Sequence, residues 1–317
     1  MIGATSGIGR AALKQFTRYT LSPTVYFVGR NASAGKEVEE ELKEINGQGR
    51  YVFVKEDVSL IRRVDVVCEM VKGEGRLNVL WLSAGFFNWG GREESPEGLD
   101  RKFSVNYYSR MRFIHNLLPL LTAASSLNQL SRVLTILSAG RERHVLEADM
   151  DLKHHMSIHN CESHVTTFTA FMLEEFAARN PGVSFLHVFP GVVHTNFLSR
   201  DQPWITRMGA NLLWNIATPW LLGERESGER NLYLMTVGGR LPPRNGSGVG
   251  VHLEGEGDEE KLRGTDGVVG SGAYLVNWDG ERTGRYDVLE ELRSGGLRER
   301  VCAHTEEMWG AALGAGT

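Results

Sequence analysis

Three glycines stand close together at the start of the chain, in Gly3-Ala-Thr-Ser-Gly7-Ile-Gly9. Glycines at this spacing let a strand turn tightly and let the backbone approach a pyrophosphate, and the following helix offers its N-terminal N–H groups to the phosphates. The hydroxyl groups of the turn can add hydrogen bonds. We therefore predict a dinucleotide-phosphate site with contacts from Gly3, Thr5, Ser6, Gly7, Ile8 and Gly9.

Two arginines lie where a dinucleotide fold binds the adenosine ribose. Arg30 follows the β-rich run Thr24–Val28, and Arg10 comes directly after the glycines. An acidic residue near the end of the second strand would accept a hydrogen bond from the ribose 2′-hydroxyl, whereas an arginine suits a 2′-phosphate. This chain has arginine and no acid there, which predicts NADP(H) as the cofactor. The alternative is that Arg30 is an ordinary solvated surface residue.

These residues need a parallel sheet to position them, and the pattern predicts one. Strands and helices alternate from the start to about Thr195, which indicates a doubly wound, Rossmann-type α/β fold with helices on both faces. Only Met1 and Ile2 precede the glycine turn, so we predict a truncated first strand and a sequence that starts too late. The predicted strands are Thr24–Val28, Tyr51–Val54, Asn78–Leu82, Arg132–Leu137 and Val183–Val188; the predicted helices include 36–45, Val64–Val71, Phe103–Leu121 and His164–Ala178.

Beyond residue 200 the alternation breaks. We predict a nicotinamide-binding domain over 1–200 and an apolar helical substrate lid over 201–237, which includes Trp204, Trp214 and Trp220. Residues 238–272 are rich in glycine and predict a long loop or disorder. Residues 273–317 are expected to form an irregular C-terminal extension, with one strand in 273–277 and short helices in 286–292 and 304–313.

The bulk properties predict a soluble, cytoplasmic protein. The 317 residues carry a net charge of −4 and 41% hydrophobic residues, so no basic field would recruit nucleic acid. No apolar stretch is long enough to span a bilayer. The three cysteines are odd in number and far apart, which indicates free thiols in a reducing compartment. No metal site is expected, because His155 and His159 lack a supporting motif.

Several later positions follow the order of a known family. They are Asp57-Val58 after the third strand, Ala84-Gly85 in Leu-Ser-Ala-Gly, Asn106 in VNYYSRMRF, Ser138 after RVLTIL, and Pro190-Gly191 with Thr195 beyond. Together with GATSGIG, this set resembles the short-chain dehydrogenases/reductases over about the first 200 residues. The resemblance implies that Asp57 contacts adenine, Ser138 is catalytic, Asn106 is the helix Asn, and Thr195 binds the nicotinamide amide. The C-terminal GAYLVNWDGE more weakly resembles fungal members from secondary-metabolite pathways.

The family's catalytic Tyr–Lys pair is missing. A phenol needs a nearby cation to work at neutral pH, and a four-residue spacing puts both groups on one helix face. A gap-free count back from Pro190-Gly191 places the pair at Asn160 and His164. The chain has no Tyr between Tyr108 and Tyr233 and no Lys between Lys153 and Lys261. We retain His164 and Asn160 as candidate replacements; His164 could transfer a proton, but an ordinary helix-surface histidine is the slightly favoured interpretation.

The leading hypothesis is an NADP(H)-dependent oxidoreductase acting on a carbonyl or alcohol of an apolar small molecule. Ser138 would hold the substrate oxygen, and the proton would come from His164 or from water relayed by Asn106. Two alternatives stay open. One is a non-redox isomerase, dehydratase or cyclase on the same fold, and the other is an NADP-binding pseudoenzyme. The sequence leaves self-association into a homo-oligomer open.

Overall fold

The structure is a computed structural model that describes residues 1–88, 90–191, 223–246, 249–251 and 260–314. Six strands form one parallel sheet in two parts, with β2 beside β1 and with β3, β4, β5 and β6 in that order. Ile2 joins the parts, because it bridges Val28 of β1 and Leu82 of β3 in parallel. The strands are β1 (Thr24–Gly29), β2 (Arg50–Lys55), β3 (Val79–Leu82), β4 (Arg132–Ile136), β5 (Ser184–Val188) and β6 (Ala273–Val276).

Ile2 is the single residue that occupies the central strand position. Its N–H donates to the Trp81 carbonyl at 2.8 Å and its carbonyl accepts from the Ser83 N–H at 2.9 Å. The Met1 amino group donates to the Tyr26 carbonyl at 2.6 Å. These contacts connect β1 to β3 and make the two parts of the sheet continuous.

Helices cover both faces of the sheet, as the alternation predicts. They are α1 (Gly7–Tyr19), α2 (Ala32–Ile45), α3 (Ile61–Lys72), α4 in three consecutive segments (Arg101–Phe103, the π-helical turn Ser104–Tyr108, and Ser109–Ser126), α5 (Ile158–Arg179), α6 (Glu224–Thr236), α7 (Tyr286–Ser294) and α8 (Leu297–Gly314). The doubly wound α/β prediction is confirmed.

Strands β4 and β5 are buried on both faces, as parallel strands with helices above and below must be. Val133 and Phe185 face the cluster formed with α3, α4 and α5. Leu134 and Leu186 face the opposite cluster, which includes Leu234 of α6. Because side chains alternate along a strand, Thr135 and His187 point to the α4–α5 side. Two polar side chains are thereby placed inside an apolar layer.

The C-terminal residues have the strand and the two helices that the sequence predicts, but these elements pack on the rest of the domain and are not an irregular extension. Strand β6 pairs with β5, and helix α8 packs on α5 and α3. The Tyr107 and Thr305 hydroxyls are 2.6 Å apart, and the Trp309 indole N–H donates to the Tyr108 carbonyl at 3.1 Å. The domain therefore runs past residue 200, because β6 and α8 complete its sheet and its core.

The described part of the predicted lid, residues 223–237, contains helix α6. Helix α6 packs on α1, so closely that a Cβ at Gly228 would lie 2.7 Å from the Ala11 carbonyl oxygen. Residues 201–222, including Trp204, Trp214 and Trp220, lie outside the described residues. The described portions of 238–272 contain isolated bridges but no strand or helix.

The three cysteines are free, as predicted, and Cys68 and Cys161 are buried. Among the helices of the described residues, none combines the length and the apolar character needed to cross a membrane.

Candidate active site

The glycine turn folds against the loop after β3. Gly3 has a φ of +83° and Gly7 a φ of +54°, conformations that favour glycine. A Cβ at Gly3 would lie 2.3 Å from the Ala84 nitrogen, and one at Gly9 would lie 2.3 Å from the Gly3 carbonyl oxygen. The turn therefore needs glycine for backbone packing.

The first turn of α1 is available to a phosphate group. Ser6 is the N-cap residue, and its side chain makes no capping hydrogen bond. The N–H groups at a helix start need acceptors, and a phosphate placed there meets both these donors and the positive end of the helix dipole. Thr5 lies beside Gly29 at the end of β1, where an added Cβ would be 2.7 Å from its side chain. These residues fit a dinucleotide pyrophosphate.

The two predicted arginines differ in their surroundings. The Arg10 guanidinium donates to a Glu41 carboxylate oxygen from Nε at 3.1 Å and from Nη2 at 2.9 Å. Arg30 is exposed at the end of β1 and forms no hydrogen bond or ion pair with the described residues, while Asn31 caps α2. Arg30 is therefore free to meet a 2′-phosphate, and Arg10 would have to leave its acid.

The predicted adenine and ribose contacts lie at the strand ends. The Asp57 carboxylate accepts from the Ser59 N–H at 3.0 Å, and the Val58 carbonyl accepts from the Ser109 hydroxyl. The Ala84 N–H donates to the Ile2 carbonyl at 3.0 Å, so Ala84 and the exposed Gly85 follow the sheet directly.

Asn106 lies in the π-helical turn of α4, a feature often found at functional sites. Its amide accepts from the Phe86 N–H at 3.2 Å and donates to the Phe86 carbonyl at 2.9 Å. Asn106 therefore holds the chain just after Ala84-Gly85. These two bonds leave one amide hydrogen and one oxygen lone pair for a water molecule.

Ser138 follows β4 and meets a residue that the sequence did not single out. Its hydroxyl oxygen lies 2.6 Å from the Thr166 hydroxyl oxygen on α5, and its N–H donates to His187 Nε2 at 3.3 Å. Ser138 is partly exposed, whereas Thr166 is fully buried. One hydroxyl of this pair must donate to the other, so the pair fixes the orientation of the Ser138 side chain. The Ser138 hydroxyl can still form a further hydrogen bond on its exposed side.

His164 and Asn160 do not contact Ser138. His164 is fully buried and accepts from the Leu146 N–H at Nε2, at 2.8 Å, while its Nδ1 lies 3.2 Å from the Met150 carbonyl oxygen. Asn160 donates to the His155 carbonyl at 2.8 Å. Neither residue is hydrogen-bonded to Ser138, and their assignment as the replacements for the Tyr–Lys pair stays a prediction. Both ring nitrogens of His164 are used by backbone, so it holds the 146–150 segment in place.

Burial lowers the pKa of His164 to about 4, against an ordinary value near 6.5. The unfolded chain binds a proton between pH 6.5 and pH 4 that the folded chain does not, so stability is present above pH 6.5 and is lost as the pH falls. We expect His164 to remove about 3 kcal/mol from the free energy of unfolding across this range. Urea unfolding of the wild type and of His164→Asn at pH 7.5 and 4.5 isolates this loss, because buried His187 contributes to both chains. His164→Asn should shrink the total loss by about 3 kcal/mol, and an unchanged pH dependence contradicts the assignment; His154→Asn serves as the surface control.

A buried cation lies beneath the strand ends. Arg110 of α4 is 2% exposed, and its guanidinium donates to Thr135 Oγ1 at 2.7 Å, to the Ile136 carbonyl at 2.9 Å and to the Ala84 carbonyl at 2.7 Å. It forms no ion pair with a described residue, and its Nε has no partner there. Burial lowers the pKa of Arg110 to about 9, which leaves it charged at neutral pH. Its position one helical turn after Asn106 was the sequence signal for it.

Arg141 is a second charged residue near Ser138, and its N–H donates to the Ser138 carbonyl. The Arg141 guanidinium donates to Glu162 at 3.0 Å and lies 5.3 Å from the centre of the Phe189 ring. Phe189 leads into Pro190 and Gly191, and Gly191 has a φ of +74°. Thr195 lies outside the described residues. This face therefore joins the Ser138 strand end to the Pro-Gly turn.

No tyrosine or lysine in the described part of the chain forms a hydrogen bond with Ser138 or Thr166. Tyr107 and Tyr108 are turned towards α8, and the Lys102 ammonium donates to Asn88 and to the Gly90 and Gly91 carbonyls. The site thus has the hydroxyl pair of Ser138 and Thr166, with the buried guanidinium of Arg110 contacting the neighbouring strand ends.

Comparisons with known proteins identify the family. The short chain dehydrogenase family matches residues 1–145. Oxidoreductase AN1596 of Emericella nidulans is 39% identical over 98% of this chain and 92% of its own length. Mouse polyprenol dehydrogenase is 27% identical over 82% of this chain and 76% of its own length. A structure of NADPH-bound carbonyl reductase from chicken fatty liver shares the fold, with a TM-score of 0.57 and 13% identity over 90% of this chain and 97% of that one.

The fold and the site define a Rossmann-type oxidoreductase. The chain belongs to the short-chain dehydrogenase/reductase family.

Proposed function

We propose that the protein is an NADP(H)-dependent oxidoreductase that acts on a carbonyl or alcohol group of an apolar small molecule. This proposal rests on the position of the turn at Gly3–Gly9, whose following N–H groups can bind a phosphate. The turn lies at the same edge of the sheet as the Ser138–Thr166 hydroxyl pair. In open α/β sheets, ligands bind outside the carboxyl ends of the strands. Cofactor and substrate oxygen would therefore meet at this edge.

Each group has a role in this reaction. The first turn of α1 would bind the pyrophosphate and Arg30 the 2′-phosphate, while Asp57, Ala84 and Gly191 would line the rest of the cofactor. NADP(H) supplies the hydride when it is bound. Ser138 would hold the substrate oxygen by a hydrogen bond, and Thr166 would fix the direction of that bond. We propose that the proton reaches the oxygen from water held near Asn106, because His164 is fully engaged.

An apolar substrate and a role in secondary metabolism are part of the proposal. Their support comes from similar proteins, since two relatives, from mouse and human, are named for a polyprenol and several others are fungal oxidoreductases. The three free thiols also suit a reducing compartment, and we place the protein in the cytoplasm on that ground.

Arg30→Ala tests the cofactor assignment. If Arg30 binds the 2′-phosphate, its loss should weaken NADPH by about 10- to 100-fold and NADH by less than threefold, since a charge-assisted bond contributes about 1.5–3 kcal/mol. Calorimetric titration of both cofactors measures this. Arg10→Ala is the matched control and should have the smaller effect, because Arg10 is already paired with Glu41. Equal weakening of both cofactors by Arg30→Ala would remove the NADP assignment.

A second candidate function rests on the missing Tyr–Lys pair. Without that proton donor, the same pocket could isomerise, dehydrate or cyclise its substrate, and NADP would then be structural or absent. The two functions differ in stoichiometry, because only the redox reaction consumes NADPH as product forms.

A further inference from the structure

The burial of the Arg110 charge costs free energy, and packing alone does not explain why an arginine occupies this position. A buried charge without a counter-ion is strongly disfavoured, and an apolar side chain of similar volume usually serves a core better. Arg110 is 2% exposed and has no acidic partner among the described residues, and its Nε hydrogen is unused. Side chains held in such an environment cluster at functional sites. The question is what the charge acts on.

The positive charge of Arg110 lies close to the end of β4, just before Ser138. Arg110 donates to the Ile136 carbonyl at 2.9 Å, and Ile136 lies two residues, or about 7 Å, before Ser138 along the strand. His187 connects the two. Burial, and then the positive charge of Arg110, lower the pKa of His187 to about 3, so its ring is neutral. The neutral Nε2 accepts from the Ser138 N–H at 3.3 Å. The positive potential of Arg110 therefore extends to the group that contacts Ser138.

The other charges near Ser138 do not replace it. Arg141 is half exposed and paired with Glu162, so solvent and its partner screen it. The Glu142 carboxylate accepts from the Gly140 and Arg285 N–H groups, at 3.0 and 2.9 Å. Arg110 is the one cation near Ser138 in the described residues that is buried and has no acid beside it.

We propose that Arg110 is a positioning residue of the active site, whose fixed positive charge stabilises negative charge on an oxygen held at Ser138. It would supply the electrostatic effect for which the family uses lysine, from the α4 side of the sheet instead of from α5. Preorganised charge of this kind is effective because the buried site cannot relax around it. This inference rests on the proposed function only in that carbonyl reduction creates such a negative charge.

The first experiment reads the potential at Ser138 without any need for turnover. In a Ser138→Cys variant of the full chain, the introduced thiol reports its own pKa through the pH dependence of its alkylation by iodoacetamide, followed by peptide mass spectrometry. The native cysteines provide a contrast, since burial raises the pKa of Cys68 and Cys161 to about 12. We expect the introduced thiol to titrate about 1 unit below the ordinary value near 8.5. A value at or above 8.5 overturns the proposal, whether or not Arg110 variants fold.

The second experiment uses a matched pair of buried arginines. Arg132 is 1% exposed, also lacks an acid among the described residues, and donates to the Leu234 and Leu241 carbonyls at 2.9 Å each, at the opposite end of β4. In the Ser138→Cys background, Arg110→Met should raise the thiol pKa by about 1 unit, Arg110→Lys should restore most of this shift, and Arg132→Met should change nothing. Equal shifts from Arg110→Met and Arg132→Met would mean that both arginines are structural.

Turnover separates this inference from the proposed function. With serine at 138, Arg110→Met should lower kcat about 10- to 100-fold with little change in the KM for NADPH, and Arg110→Lys should recover most of the rate. If the wild-type chain shows no NADPH-dependent turnover while the thiol pKa is depressed, the redox function fails and the electrostatic role of Arg110 stands. If turnover is normal and the thiol pKa is not depressed, the reverse holds.

Discussion

Ser138→Ala is expected to lower kcat by about 10²- to 10³-fold while the affinity for NADPH stays within a factor of two. The loss has this size because removing one donor to a developing oxyanion costs about 3–4 kcal/mol of transition-state stabilisation. The cofactor is unaffected because the Ser138 hydroxyl bonds Thr166 and faces the open side of the site, on a different strand from the glycine turn. Steady-state kinetics with an apolar ketone, together with calorimetric titration of NADPH, measure both quantities.

Thr166 provides the graded control for this prediction. Thr166→Val keeps the shape and removes the hydroxyl that orients Ser138, and should lower kcat about 10-fold, near the contribution of one hydrogen bond. Thr166→Ser keeps the hydroxyl and should stay close to the wild type. Unchanged kcat in Ser138→Ala would show that the reaction occurs elsewhere in the molecule.

Gly9→Ala is expected to abolish NADPH binding. An added Cβ would lie 2.3 Å from the Gly3 carbonyl oxygen and 2.6 Å from the Ser83 hydroxyl oxygen, and the nearer atom belongs to the backbone and cannot turn aside. The turn would have to open, and the first-turn N–H groups of α1 would no longer converge on a phosphate. We expect at least 100-fold weaker NADPH binding and about 2–4 kcal/mol lower stability, the range of an overpacked core position.

Gly310 is the matched control for Gly9. It also lies in a helix, α8, and a Cβ there would meet no atom within 4 Å. Gly310→Ala should therefore leave NADPH binding unchanged and raise stability by up to about 1 kcal/mol, the helix propensity difference between the two residues. Tight NADPH binding by Gly9→Ala would exclude this turn as the phosphate site.

The fold was predictable because its signals are local. The run Thr24–Val28 and the other predicted strands are short, apolar and rich in β-branched residues. Each is followed by a segment with helical periodicity, and strands that alternate with helices in this way predict a parallel sheet. The glycines at 3, 7 and 9 identified the phosphate turn for the same reason, because the local backbone conformation or packing at each of these positions requires glycine. The strand at 273–277 was also predicted. Its pairing with β5 was not, because nothing in the sequence of an edge strand specifies which strand it pairs with.

The centre of the site was harder to predict, because it depends on the register between elements far apart in the chain. Thr166 meets Ser138 only through the rotation of α5 against β4, which a gap-free count from Pro190 cannot give. His164 illustrates the same limit, since its chemistry depends on whether backbone groups at 146 and 150 occupy its nitrogens. Arg110 offered a signal, its position one helical turn after Asn106, but the sequence could not show that its partners lie in β4 and in the loop after β3.

The measurement that tests the central claim most directly is the stoichiometry of NADPH oxidation against product formation. Purified protein would be incubated with [4,4-²H₂]NADPH, labelled at both C4 hydrogens, and an apolar ketone, and product would be analysed by mass spectrometry. The redox assignment predicts one alcohol formed for each NADPH oxidised, with deuterium on the carbinol carbon. A converted substrate that carries no deuterium, formed while the NADPH absorbance stays constant, would contradict it and establish the non-redox reaction instead.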